Sequence, residues 1–409
     1  MKLRLSLLLS LSVTSLLANA EVAQHTGELL YKVKETKNFL DISARHQILS
    51  KYGITEKGGQ REDSVNVFRP SQKIGDLESI RMEMMDSGAF EFVEYNTYEH
   101  EVGEDTNLSD PKKSAQYHHD IMDTQGAWSY TKGEGVVVAV CDSGVEFGHE
   151  DLKVNVLREG SWDFIDNDDR ANPVTSHGTF VAGLIAAAAN NGLGVAGMAP
   201  KAKILPLRIA TTSGGTTIKT ISDCIRYAAD KGAKIINVSF TGVSSSVVAD
   251  AGRYARNKGS LLVYSAGNQG NNTSWKDSPY VLAVGGSNAN DELWRVRTCR
   301  FGMFCRTSGS NAGDFVDIVT PGHNIYSTTT YIEHNNGGSK YRSGSGTSYS
   351  APILSGVAAL VASARPDLTP SQIEDVLKRS ADKIGSGSEY YYGAGRANAF
   401  EAVKMALDY

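Results

Sequence analysis

The sequence is poor in cysteine and tryptophan and has no strong excess of charge of either sign. Its 409 residues include 4 Cys and 4 Trp, and 41 Lys and Arg stand against 46 Asp and Glu, for a net charge of −5. A protein that binds nucleic acid through its charge presents a basic face, and no cluster of Lys and Arg here is typical of one. We therefore expect no nucleic-acid partner.

Long apolar runs are missing after the first twenty residues. Residues 1–20, MKLRLSLLLSLSVTSLLANA, combine a basic start, a short apolar core and the small-residue cleavage site Ala18-Asn19-Ala20. This combination is typical of a secretory signal peptide. Its core is shorter than the ~20 residues of a spanning helix, although an uncleaved anchor is the alternative. We expect a secreted protein, extracellular or, in a bacterium, periplasmic, without stable membrane association.

The four cysteines can form disulfides once the chain leaves the cytoplasm. Cys299 and Cys305 flank a short loop, and we predict a bridge between them, with a reduced pair of loop thiols as the alternative. Two cysteines are too few for a Cys-rich zinc site. Cys141 and Cys224 lie in apolar surroundings, which favours buried free thiols.

The first hundred residues predict a small α+β unit. Strand patterns near 28–34, 63–68 and 90–98 alternate with helical patterns at 38–52 and 73–87. This order is that of a ferredoxin-like fold. The polar stretch 103–114, GEDTNLSDPKKS, predicts a linker.

From about residue 115 the pattern predicts an α/β domain. Apolar, β-branched runs alternate with helical patterns, which indicates a parallel sheet with helices on both faces. The predicted strands are 136–142, 204–209, 233–240, 260–267 and 280–286, and the predicted helices are about 177–189, 218–231, 246–258 and 347–363. Active sites in such sheets lie at the carboxyl ends of the strands.

Three segments carry residues with chemistry. Asp142 ends a buried strand, and a buried carboxylate needs a partner. His177 precedes Gly178 and a run of small residues, and Ser348 begins a helical pattern after Gly346. Taken singly, each has a structural alternative: a turn, a structural histidine and a helix N-cap.

Together these segments resemble the signatures of subtilisin-like serine proteases, in that family's order Asp, His, Ser. The similarity runs from about 115 to 405 and includes NGLGVAGMAP (191–200), SAGNQG (265–270) and DIVTPG (317–322). The resemblance implies a serine endopeptidase that cleaves polypeptides through an acyl-enzyme. It makes Ser348 the nucleophile, His177 the general base and Asp142 its orienting partner, with Asn268 as the oxyanion donor.

The resemblance also assigns substrate-binding segments. Ser239, Phe240 and Thr241 match one wall of the family's primary specificity pocket, and Ser265, Ala266 and Gly267 match the other. The chain departs from the family where Tyr349 replaces the usual Met after the nucleophile, where Ser350 replaces Ala and where Thr241 replaces a frequent Gly. Residues 291–307 are interpreted as an insertion.

A structural calcium site is implied by a further match. Asp151, Asn191 and the backbone carbonyls of Leu193 and Val195 correspond to ligands found in many family members. Oxygen ligands of these kinds suit Ca²⁺. The N-terminal ligand of that site has no evident counterpart, and an ordinary hydrogen-bonded loop is the alternative.

The early α+β unit is interpreted through the same resemblance as a propeptide. We expect residues 1–20 to be the signal peptide, 21–102 an inhibitor-type propeptide and 103–409 the peptidase domain. The propeptide would serve as an intramolecular inhibitor and folding aid of a monomeric enzyme. An independent domain of other function is the alternative.

Two other classes of protein use part of this residue set. A lipase or esterase has Gly-x-Ser-x-Gly and the order Ser, Asp, His, whereas Ser350 stands here in place of the last Gly and the order differs. A catalytically inactive binding protein would lack part of the catalytic set, and all four residues are present.

Overall fold

The structure, a computed structural model, describes residues 25–33, 39–52, 66–68, 77–97, 107–300, 304–331, 339–385 and 389–409. The chain divides into two compact units, Met1–Val102 and Gly103–Tyr409. The predicted signal peptide lies outside the described residues, as does the junction between the units.

The first unit contains an antiparallel sheet and two helices. Its elements are β1 (His25–Val33), α1 (Phe39–Lys51), β2 (Asn66–Phe68), α2 (Leu77–Asp86) and β3 (Phe90–Thr97). β1 lies in the centre of the sheet, in the order β2-β1-β3. Leu29, Met84 and Phe90 belong to its buried core. The elements follow one another in the order that the sequence pattern predicts.

The second unit is built on a seven-stranded sheet, and the predicted parallel arrangement is confirmed. Its strands pair in the order β12-β9-β8-β7-β4-β6-β5, each pair parallel. The strands of this unit are β4 (Val137–Asp142), β5 (Trp162–Asp163), β6 (Lys203–Arg208), β7 (Ile235–Val238), β8 (Leu261–Ser265), β9 (Leu282–Ser287), β10 (Arg295–Arg300), β11 (Phe304–Gly309), β12 (Ile318–Pro321), β13 (Ile325–Thr328) and β14 (Tyr341–Gly344).

Helices cover both faces of this sheet. They are α3 (Tyr117–Ile121), α4 (Thr124–Trp128), α5 (His177–Ala186), α6 (Ile218–Asp230), α7 (Ser246–Asn257), α8 (Thr347–Ala364), α9 (Pro370–Arg379), α10 (Glu389–Tyr392) and α11 (Ala399–Leu407). Residues of α5, α8 and α11 fill the core on one face, and residues of α6 and α7 fill the core on the other. The sheet is therefore apolar on both sides, which explains why its strands are apolar throughout.

The strand order reverses beside β4. From β4 the chain builds β5 and β6 on one side and then crosses to β7 on the other. Such a reversal opens a crevice at the carboxyl ends of the strands, where ligands of α/β sheets bind. β4 ends in Asp142 at this point.

α8 is the one helix among the described residues that is long and apolar enough to cross a membrane. Most of its residues are buried inside the fold, and it contains Pro352 near its start. It packs as the central helix of a folded domain.

Two sequence predictions about this unit are wrong. Cys141 pairs with Cys224 in a disulfide, so they are not free thiols. The stretch 103–114 is not wholly a linker, because its residue Leu108 is buried in the core of the second unit. The predicted bridge between Cys299 and Cys305 is confirmed, and it lies in the hairpin β10–β11.

Candidate active site

Asp142 and His177 meet at the carboxyl end of β4. The Nδ1 atom of His177 lies 2.8 Å from Oδ1 of Asp142, which is fully buried. A carboxylate can only accept, so Nδ1 carries the proton and Nε2 is left as the basic nitrogen of the neutral ring. Oδ2 of Asp142 is buried and has no hydrogen-bond partner in the described part of the chain.

The residues around this pair explain why it forms. The Oγ of Ser143 accepts a hydrogen bond from the backbone N–H of Gly178 and donates to the carbonyl of Thr175. These bonds tie the end of β4 to the start of α5. A Cβ atom on Gly178 would lie 2.3 Å from the carbonyl oxygen of Gly144, so only glycine allows this approach. Packing therefore requires glycine directly after His177.

The protonation of His177 depends on two opposing effects. Burial lowers the pKa of the imidazole, but the charge of Asp142 and its hydrogen bond raise it by more, so the pKa lies above its ordinary value. The positive charge of Arg342 acts in the lowering direction. The side chain of His177 is 29% exposed, so a substrate can reach it.

Ser348 lies in the first turn of α8 and contacts the segment after β7. Its hydroxyl donates to the backbone carbonyl of Ser239 at 3.2 Å, and the hydroxyl of Ser239 donates to the carbonyl of Ser348 at 2.9 Å. Phe240, the next residue, has its ring 6.2 Å from the imidazole of His177. Ser348 and His177 thus contact adjacent residues of the segment that follows β7.

Asn268 is held by its carbonyl end. Its Oδ1 accepts from the backbone N–H and the hydroxyl of Thr347, both at 2.8 Å. A backbone N–H can only donate, which assigns the facing atom as oxygen. The Nδ2 atom is therefore the end of Asn268 that remains available to a ligand. Thr347 was not predicted, although its position next to Ser348 in the motif was a possible signal.

A cavity of about 280 Å³ opens beside these residues. Four of the predicted substrate-binding residues line it: Thr241, Ser265, Ala266 and Gly267. Ser239 and Phe240 contact Ser348 and His177 instead. The remaining lining residues are Gly242, Val243, Ser244, Gln269, Asn271, Thr273, Trp275 and Asn311, and none of the twelve is ionisable.

The residues of the predicted calcium site lie together and are joined by hydrogen bonds. Asp151 is fully buried, and its two oxygens accept from Nδ2 of Asn191 at 2.8 Å and from the backbone N–H of Val195 at 2.9 Å. Oδ1 of Asn191 accepts from the backbone N–H of Leu193 at 2.8 Å.

A second carboxylate reaches the same loop. Asp110 is buried and accepts from the backbone N–H groups of Asn190 and Asn191. Burial raises the pKa of Asp110, and the nearby charge of Asp151 raises it further. Neither carboxylate takes part in an ion pair within the ranges that the structure describes. Asp110 was missed because the polar stretch around it was interpreted as a linker.

Comparison with known proteins identifies the family. The model of the "Subtilase family" matches residues 133–395. Thermitase from Thermoactinomyces vulgaris is 39% identical over 294 residues, 71% of this chain and 96% of thermitase. A thermophilic serine proteinase from Bacillus sp. (strain AK1) is 35% identical over 384 residues, 92% of this chain and 87% of that protein.

The likeness extends beyond the catalytic unit and to solved structures. Subtilisin E from Bacillus subtilis (strain 168) is 30% identical over 415 residues, which cover 98% of this chain and 99% of that protein. A protease from Pseudoalteromonas arctica PAMC 21717 superposes with a TM-score of 0.62 and 30% identity, covering 73% of this chain and 99% of that structure.

Proposed function

Because the chain belongs to the subtilase family and is a serine endopeptidase, we propose that Asp142, His177 and Ser348 are its catalytic triad. The observation that carries this proposal is the 2.8 Å contact of His177 Nδ1 with Asp142, beside the helix turn that presents Ser348. The contact fixes the ring so that Nε2 is the basic atom. A base oriented in this way by a buried carboxylate is the arrangement that activates a serine.

The proposed reaction begins with a rotation of the serine hydroxyl. At rest, Oγ of Ser348 donates to the carbonyl of Ser239, so it turns toward Nε2 of His177 when substrate binds. Oγ then attacks the scissile carbonyl carbon as Nε2 takes its proton. Asp142 stabilises the imidazolium that forms, and the buried position of its carboxylate strengthens this effect.

Two donors would hold the oxyanion. Nδ2 of Asn268 is directed by the bonds from Thr347 to Oδ1, and the backbone N–H of Ser348 lies in a first helical turn, where such groups have no intrahelical partner. Loss of one such donor costs about 10²–10³ in kcat, a magnitude established for subtilisin itself. The tetrahedral intermediate collapses when His177 gives its proton to the leaving amine, and water then hydrolyses the acyl-enzyme by the same steps.

The substrates of this reaction are polypeptides. The cavity lined by Thr241 and Gly267 would take the side chain on the acyl side of the cut bond. The segments that carry these residues also suit pairing with an extended substrate as an added strand.

A fluorophosphonate probe tests the triad directly. The parent enzyme should be labelled at Ser348, and Ser348→Ala should not be labelled while keeping its circular dichroism spectrum. Ser345→Ala, an exposed serine three residues earlier, is the matched control and should be labelled like the parent. Labelling of Ser348→Ala at the parent's rate would contradict the proposal, and an unlabelled parent would favour an inactive binding protein.

A structural calcium ion fits the loop of Asn191. The donors are of the right kind, since Asp110 and Asp151 are buried carboxylates without a cation in the described ion pairs, and Asn191 supplies an amide oxygen. Backbone carbonyls of Leu193 and Val195 would complete the set. An ion would compete with the N–H groups that now bind Asp151, and it would neutralise two neighbouring negative charges.

Thermal unfolding with and without a chelator tests the ion. An ion that binds only the folded state at 100 times its Kd stabilises it by about 2.7 kcal/mol. We expect chelation to lower the Tm of the uncut Ser348→Ala chain, and Asp151→Asn in the same background to remove that sensitivity. Asp223→Asn, on the exposed side of α6, should respond like the parent. A parent whose Tm is unchanged by chelation would contradict the calcium site.

We further propose that the enzyme is secreted as a zymogen. Residues 1–20 would direct export, and residues 21–102 would act as the propeptide of a monomeric peptidase at 103–409. The signal-peptide pattern and two disulfides support export. Extension of the similarity to subtilisin E over 98% of the chain supports the propeptide.

A further inference from the structure

The residue after the nucleophile belongs to a group of aromatic rings beside the catalytic histidine. The ring of Tyr349 is 8% exposed and lies 5.7 Å from the imidazole of His177, at an interplanar angle of 35°. The same ring lies 4.2 Å from Phe180, which is fully buried one helical turn after His177. Tyr349 therefore contacts both His177 and Phe180, which lie one turn apart on the same face of α5.

The surrounding residues hold this ring from the other side. A Cβ atom on Gly344 would lie 2.6 Å from Cε2 of Tyr349 and 3.1 Å from its hydroxyl oxygen. Only glycine permits the backbone of β14 to pass so close to the phenol. Arg342, two residues earlier, places its guanidinium 4.7 Å from the ring centre of Phe180 and donates to the hydroxyl of Ser176. The aromatic pair is thus enclosed.

We propose that Tyr349 is a positioning residue for His177, through the contact of its tilted ring with the imidazole. This inference rests on the proposed triad. The bond to Asp142 fixes one edge of the imidazole but leaves the ring free to tilt about that bond. The buried ring of Tyr349 beside the imidazole restricts this tilt, so Nε2 stays aligned between Ser348 and the leaving amine.

The contact also suits the charge that the reaction creates. His177 becomes an imidazolium when it takes the proton of Ser348, and a cation is attracted to an aromatic face. The benefit exists in the transition state and is weaker in the resting enzyme, so it acts on kcat more than on KM.

Replacement of Tyr349 separates the ring from the hydroxyl. We expect Tyr349→Leu to lower kcat on peptide amides by about tenfold with KM within twofold, and Tyr349→Phe to match the parent. Rates are divided by the number of sites that a fluorophosphonate probe labels, so that only folded enzyme is counted. Tyr326→Leu removes a half-buried ring from the same core, and the ring contacts of His177 in the described part of the chain do not include Tyr326, so this variant should keep the parent's kcat.

The pH dependence provides a readout that a loss of packing alone would not move. The acid limb of kcat/KM should shift to lower pH in Tyr349→Leu, because the imidazolium loses its aromatic neighbour, and it should stay in place in Tyr349→Phe and Tyr326→Leu. An unchanged kcat and acid limb per labelled site in Tyr349→Leu would overturn the proposal. So would a rise in KM alone, which would make the ring a substrate contact, or an equal loss in Tyr349→Phe.

Failure of this inference is distinguishable from failure of the triad. If the triad is correct, the parent and every Tyr349 variant are labelled at Ser348, and Ser348→Ala is not. Labelling with unchanged kinetics would contradict the role of Tyr349 and leave the triad intact, whereas absence of labelling in the parent would contradict the triad.

Discussion

Deprotonation of the His177 imidazole is expected to have opposite effects on activity and on stability: as the pH rises, activity increases and the stabilising ion pair is lost. Its pKa is raised in the folded state, mainly because the effects of Asp142 exceed that of burial. The ion pair with Asp142 therefore stabilises the fold fully below the unfolded pKa of ~6.5 and loses this effect as pH rises through the folded pKa. In the proposed triad His177 acts as the base, so catalysis would need the neutral ring and therefore the higher pH.

Activity is accordingly expected to climb from mildly acidic to neutral pH and to stay high in weak alkali. In Asp142→Asn the raising effect is lost, so the acid limb of kcat/KM should shift to lower pH. Its kcat should fall by about 10⁴, as loss of the orienting carboxylate does in serine proteases. Initial rates on a peptide amide between pH 5 and 10 (about 1.5 units below the free imidazole pKa and well above it) measure both. A maximum in clearly acidic solution would contradict the triad.

A pair of buried histidines affects the stability of the fold in the opposite direction as the pH changes. His118 and His119 are buried with ring centres 4.5 Å apart, and the described residues offer no hydrogen-bond partner to either nitrogen of His118. Nε2 of His119 lies 3.1 Å from the carbonyl of Ala196. Burial lowers the pKa of both, to about 4 for His119, and the neighbouring ring lowers that of His118 further.

This pair should destabilise the second unit in acid. Between pH 6.5 and about 4 the unfolded chain binds a proton at His119 that the folded chain does not bind, and the lowered pKa of His118 acts in the same direction. The unfolding free energy should therefore fall as the pH is lowered, by roughly 1 kcal/mol per pH unit for His119. His118→Phe should flatten this loss in denaturant titrations of the Ser348→Ala enzyme. Val154→Ala, an exposed position whose change removes no titratable group, should keep the parent's slope, and equal slopes in all three would contradict the assignment.

At the scale of elements, a disulfide links the strand that ends in Asp142 to the helix that covers it. Successive residues of a strand point to opposite faces, so Cys141 faces α6 while Asp142 faces α5. Cys141 and Cys224 are 83 residues apart in sequence, whereas Cys299 and Cys305 are 6 apart. The chain-entropy cost of closing a loop grows with its length.

The two bridges should therefore contribute unequally to stability. On the chain-entropy model, Cys141→Ala/Cys224→Ala should lose about 4–5 kcal/mol of unfolding free energy and Cys299→Ala/Cys305→Ala about 2 kcal/mol. Denaturant unfolding of both double variants in one Ser348→Ala background compares them directly. A larger loss from the hairpin pair would show that loop entropy does not govern these bridges.

Local patterns predict most of the elements but not the contacts between distant ones. The strand ending at Asp142 and the helix starting at His177 are visible in the sequence, because apolar runs and small-residue motifs are local features. Pairing of Cys141 with Cys224 depends on how a helix lies over a strand, which no local pattern contains. Asp110 was missed for the same reason, since its partners at Asn190 and Asn191 lie 80 residues away in sequence.

The aromatic contacts of His177 show the same limit within the site. The sequence identifies Tyr349 as a departure from the family, but it does not reveal that Phe180 and Gly344 enclose its ring. Motifs report which residue types are present, and the packing between α5, α8 and β14 decides what those residues touch.

At the scale of the whole molecule, the chain divides into two compact units, Met1–Val102 and Gly103–Tyr409. The described contacts of the second unit already involve Leu108 and Ser109. The backbone N–H and hydroxyl of Ser109 bond to Asn190, and Leu108 is buried. A mature enzyme that lost these residues would expose apolar surface and free the partners of Ser109. Cleavage is therefore expected upstream of Leu108.

We predict that the enzyme itself makes this cut, at the bond between Val102 and Gly103. A tethered propeptide has a high effective concentration at its own active site, which favours intramolecular cleavage, and trimming can then proceed along an exposed segment. Expressed from residue 21, the parent should yield a mature fragment whose N-terminus, read by sequencing, lies between about residue 99 and Leu108, whereas purified Ser348→Ala should remain one chain. Ser345→Ala should mature like the parent, and added active enzyme should cut Ser348→Ala only in a concentration-dependent manner. Efficient cleavage of Ser348→Ala in purified form would assign maturation to another protease, and a parent that matured only at high concentration would make the cut intermolecular.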